Sequence, residues 1–125
     1  MFEQDYIMRQ IHQIIKVLVK VLFNVDSETI TSSMIQNTET RETADYLLKK
    51  IDGGNIGEVE NEFSELTENK IMDNLLLGMV FYSYLNEKDD DYLESNNFSR
   101  DEVENGIKRL LSDYGLEDIG NIFFY

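Results

Sequence analysis

The side chains best able to do chemistry are one histidine, His12, and two dense groups of carboxylates. Glu58, Glu60, Glu62, Glu65 and Glu68 place five acids within eleven residues. Asp89, Asp90 and Asp91 run consecutively, with Glu94 close behind. Carboxylates at such spacing could ligate a hard cation or divide acid and base roles between them. Each group lacks a necessary part. A calcium loop counted from Asp91 puts Glu102 at its twelfth position, but Leu93 at the third offers no oxygen, and Asn96 stands at the sixth, where the turn needs glycine. A helical di-iron site needs Glu-x-x-His pairs in duplicate, which one histidine cannot supply. His12 shares a helix face with Arg9 and Lys16, cations that disfavour a metal and do not orient a general base. Cysteine is absent, the glycines show no phosphate-loop spacing, and no nucleophile-elbow motif occurs. The sequence therefore implies no enzyme, no catalytic residue, no metal and no cofactor.

Charge patterning carries more. The chain has 125 residues, 25 acids and 11 Lys and Arg, for a net charge of −14. In the first 25 residues Glu3 and Asp5 oppose Arg9, Lys16 and Lys20, leaving +1, so all the negative excess lies beyond Val25. Arg9, His12, Lys16 and Lys20 recur near one helical face. With the terminal Phe123, Phe124 and Tyr125 they are the candidate partner-contacting residues. Three uses of the first helix compete: packing within its own chain, forming a homodimer seam, or lying on an anionic membrane. Three positive charges at about 1 kcal/mol each make the membrane the weakest of these, and the acidic body subtracts further. The acids of the third helix have the right sign to dock the basic stripe internally. The negative charge disfavours nucleic acid as a partner. A small helical protein-protein interaction module, binding another protein or a second copy, is the leading functional reading. An acidic regulator that mimics nucleic acid and a helix-one membrane-surface protein are the alternatives.

The elements that must position these residues are all helical, as one domain over 1–125. Ile7, Ile11, Ile14, Ile15, Leu18 and Leu22 step by three and four, predicting a long amphipathic N-terminal helix within 1–25. Residues 26–40 are rich in Ser and Thr, which favour caps and turns, and read as a partly ordered linker. Residues 41–125 should hold the helical hairpin core and an aromatic tail. Helices are expected over about 41–52, from an Asn55–Glu58 cap, and over about 70–86, the last apolar all round and hence central. Gly78 in that helix predicts a close helix crossing. Residues 88–98 read as an acidic loop, and Ser99 with Glu102 forms a capping box opening a helix to about Asp113. That gives about five helices in antiparallel hairpins. Proline is absent and nothing interrupts them. No stretch reaches the roughly 20 apolar residues of a membrane span, and the first helix lacks the pattern of a secretory signal, so a cytoplasmic protein is expected.

Two resemblances follow from particular residues. Gly54-Asn55-Ile56-Gly57-Glu58-Val59-Glu60-Asn61-Glu62-Phe63 resembles the first half of a tetratricopeptide hairpin, with Val59 in place of the usual alanine. The opening Phe2 to Ile11, the central Gly-x-Ile-x-Glu-x-Glu-Asn stretch and Asn97 to Val103 together resemble a family of short, acidic, all-helical proteins of Gram-positive bacteria. That family has no assigned function. The resemblance implies an all-α cytoplasmic protein and brings no catalytic residues.

Overall fold

The computed structural model describes residues 2–124, with side chains from Asp5 onward. It contains α1 (Phe2–Phe23), a 3-10 turn (Ser32–Met34), α2 (Thr38–Asp52), α3 (Ile56–Leu66), α4 (Met72–Glu87), α5 (Asp90–Ser95), α6 (Arg100–Asp113) and α7 (Glu117–Phe123). Among the described residues there is no strand. The all-helical expectation holds, but the helices number seven rather than about five. The additional two arise where short segments are seated by an apolar anchor in the core. Asp89 accepts the Tyr92 N–H at 2.8 Å and opens α5, and Leu93 buries it. Beyond Gly115, α7 forms where Phe124 reaches the core.

α4 is the axis. It is apolar on every side, so every side has a neighbour: α1, α2 and α6 all pack on it. Gly78 lets α6 approach, since a Cβ there would lie 2.6 Å from Leu110 Cδ2. Gly106 does the same from α6, where a Cβ would fall 2.2 Å from the Tyr82 ring. Phe63 of α3 stacks on Phe81 at 4.6 Å, and Tyr82 meets both rings edge-on.

α1 is a core helix, with Ile11, Ile14, Ile15, Leu18 and Val19 buried in the common core. The segment 26–40 is seated more firmly than its composition implies. Ile30 and Ile35 are buried, and the Arg41 side chain donates to the carbonyls of Ile35 at 2.9 Å and Gln36 at 3.1 Å. Asn37 accepts the Thr40 N–H at 2.9 Å and starts α2 three residues ahead of Arg41. The expected cap at Asn55 does not form: its backbone is left-handed (φ 55°) and its side chain makes no cap bond. The Ser99–Glu102 box forms in full, with hydrogen bonds of 3.3 and 3.0 Å.

Candidate functional site

The basic stripe of α1 is satisfied close to home. Lys16 pairs with Glu28 at 2.6 Å and Lys20 with Asp26 at 3.6 Å, both acids in the segment just after α1. Arg9 is exposed and His12 half-buried. The acids of α3 do not dock this stripe, which corrects the expected internal pairing. Tyr82 donates to Glu60 at 2.8 Å and Arg109 pairs with the same carboxylate oxygen at 3.2 Å. Glu62 accepts from Tyr46, and Lys50 lies 3.4 Å away. The hydrogen bond from Tyr46 draws the Glu62 carboxyl below its ordinary pKa. Burial, then the charge of Glu60, raises the Tyr82 hydroxyl well above its usual value, so Tyr82 stays a neutral donor.

Of the aromatic tail, Phe124 is 4% exposed and Phe123 half-buried, while Tyr125 lies outside the described residues. Phe123 and Phe124 share a groove of about 230 Å³ with Ile7, Gln10, Ile11 and Ile14 of α1 and Glu104 of α6. None of Arg9, His12, Lys16 and Lys20 lines it. The two halves of the predicted site therefore meet at α1 but on different flanks.

The flank beside the groove has a property the charge pattern hid. Tyr6, Val17 and Val21 are 54, 41 and 68% exposed, and Ile122 of α7 is 68% exposed. Tyr6, Gln10, Ile14, Val17 and Val21 follow one another by steps of four, four, three and four, which is one continuous row on a helix. Of this row Tyr6, Val17 and Val21 are apolar and exposed, whereas Gln10 is polar and Ile14 is buried. The sequence shows Val17 and Val21 one helical turn apart, beside the stripe that is buried.

Sequence reasoning also missed Arg100, which reads as an ordinary first-turn residue and is 3% exposed. Its guanidinium donates to the carbonyls of Asn86, at 2.6 Å, and Lys88, and pairs with Asp90 at 3.2 Å. Asn86 in turn donates to the Met8 carbonyl at 2.8 Å. Arg100 thus satisfies the C-terminal carbonyls of α4 from the start of α6 and ties in α1 and α5. Nearby, Lys88 pairs with Asp52 and sits over the rings of Tyr84 and Tyr92 at 4.7 and 5.2 Å. Its hydrogen bond lowers the Asp52 pKa, and the same bond raises that of Lys88. These are structural knots built from charged residues, with their acids consumed internally.

Among the described residues no group of His, Asp and Glu is arranged to hold a metal ion, and no helix is long and apolar enough to cross a membrane. The model of a family described as a family of unknown function (DUF6483) matches residues 1–115. No curated protein and no solved structure matches the chain.

Proposed function

The chain belongs to this family of unknown function, and we propose that it is a small, non-enzymatic helical protein-protein interaction module. Its partner face is the α1–α7 edge: the row Tyr6, Val17 and Val21, Ile122, and the groove at Phe123 and Phe124. The observation that carries this reading is the exposed row. Core packing explains the buried stripe of α1 but gives no reason for valines on its outer flank. The exposed Arg9 borders the row and favours a partner that brings an acid to it. In this reading helices α2 to α4 act as tetratricopeptide-like hairpins, with α2 packing on both α3 and α4, and α4 backs α1. A cytoplasmic setting belongs to the same reading and suits a chain without cysteine.

The test is partner capture from native cells with a tagged wild type and a Val17→Glu, Val21→Glu variant. Both substituted positions are exposed, so the fold should survive, as helix content by circular dichroism would verify. The variant is expected to lose a partner that the wild type retains. Retention of every partner by a folded variant would contradict the assignment. Deleting α1 is no substitute, because five of its side chains are core residues.

A further inference from the structure

We infer that α7 is a displaceable competitor, occupying in cis a groove between α1 and α6 that serves an acidic, aromatic-ended amphipathic helix of a partner protein. The inference rests on the reading of the α1–α7 edge as the partner face and names the ligand it takes.

The groove is built by the helices that precede α7. Ile7, Gln10, Ile11 and Ile14 form one wall and α6 supplies Glu104. Lys108 of α6 places its ammonium 5.7 Å from the centre of the Phe124 ring, a contact that selects an aromatic side chain over an aliphatic one. α7 packs on α6, with Gly120 buried beside Leu111. All these walls fall within the matched residues 1–115, and α7 falls outside them. The match ends at Gly115, whose φ of +71° turns the chain from α6 toward α7.

α7 is held weakly. It spans seven residues, below the roughly 12 that an isolated helix needs, so its helical form depends on docking. Among the described residues no side-chain hydrogen bond or ion pair ties α7 to the other helices. Its own acids, Glu117 and Asp118, enter no ion pair there and stand exposed. It also leaves the groove incompletely filled, and it leaves Val17 and Val21 bare on the continuing row. A longer helix in trans would seat its aromatic end in the groove, cover that row, and bring its acids to Arg9. Those are the contacts α7 does not make.

The probe is a fluorophore-labelled synthetic peptide of residues 116–125, which carries both the acids and the aromatic end. Its binding to the full chain is read by anisotropy, for the wild type and for Phe124→Ala. A short tether gives its segment a millimolar effective concentration, so removing the Phe124 anchor should tighten probe binding by about tenfold or more. Adding Gln10→Trp to Phe124→Ala fills the groove from an exposed position and should reverse that gain. In the wild type, excess probe should accelerate hydrogen exchange in α7 while α1 stays protected. A folded Phe124→Ala chain that binds the probe no more tightly than wild type overturns the inference. If that variant loses helix content, unchanged α7 protection in the wild type under excess probe overturns it. Neither result touches the Val17 and Val21 capture experiment, so the groove can fail while the partner face stands.

Discussion

α4 and α1 are both long apolar helices, yet they spend their side chains differently. Every residue of α4 from Asn74 to Ser83 is buried, and Asn74 donates to the Asn69 carbonyl of the preceding loop at 2.6 Å. α1 buries one stripe and leaves a second apolar row in water. The first arrangement is what a central helix needs to hold three neighbours at once. The second exceeds what the fold requires, and the excess is where a partner can act. Packing accounts for α4 from Asn74 to Ser83 completely; it accounts for α1 only in part.

Substitutions can break or sharpen this contrast. The largest effect should come from Arg100→Met, which leaves the buried carbonyl ends of α4 without donors. At 1–3 kcal/mol for each orphaned group, a loss of about 4 kcal/mol is expected in urea unfolding. Gly106→Ala should follow with about 3 kcal/mol, because the new methyl must displace the Tyr82 ring from its place beside Glu60. Phe124→Ala should cost less, about 2 kcal/mol at most, since α7 can detach locally without opening the core. Val17→Glu with Val21→Glu should change stability by no more than about 0.5 kcal/mol. A large loss there would mean the row serves the fold after all, and the contrast with α4 would dissolve.

The smallest effect concerns pH. The Lys88 hydrogen bond depresses the Asp52 pKa in the folded chain, so its stabilisation is present above the unfolded value and disappears as pH falls through the depressed folded value. The melting temperatures of wild type and Asp52→Asn should therefore differ at neutral pH and converge below about pH 4. A gap that persists in acid would show that Asp52 acts through something other than its charge.

Most of the helical frame was legible because it rests on local rules. The i, i+3, i+4 stripe of α1, the all-round apolarity of α4, the Gly78 crossing and the Ser99–Glu102 box are all visible in the chain and realised in the fold. What escaped depends on distant partners. Ile30 and Ile35 look like strays in a Ser/Thr-rich linker until the core they fill exists. Asn55 carries the letter of a cap but adopts the left-handed conformation of a turn, where Asn96 accepts its N–H at 3.1 Å. Arg100 gives no local hint that two carbonyls from α4 await it. α5 hung on one aspartate cap and one leucine, too little periodicity to separate a turn from a helix. Phe124 of the expected aromatic tail does pack on the core, while the charge pattern of α1 gave no hint of its exposed Val17 and Val21.

The most direct test of the central claim compares two equally exposed apolar patches in the same capture experiment. Leu66 and Met72, at the α3–α4 connection, are 48 and 51% exposed and lie far from Val17 and Val21 in sequence. With Val17→Glu, Val21→Glu in one chain and Leu66→Glu, Met72→Glu in another, bound partners are quantified against wild type. We expect the α1 variant to lose its partner and the α3–α4 variant to keep it. A partner lost with Leu66 and Met72 but retained without Val17 and Val21 would contradict the account.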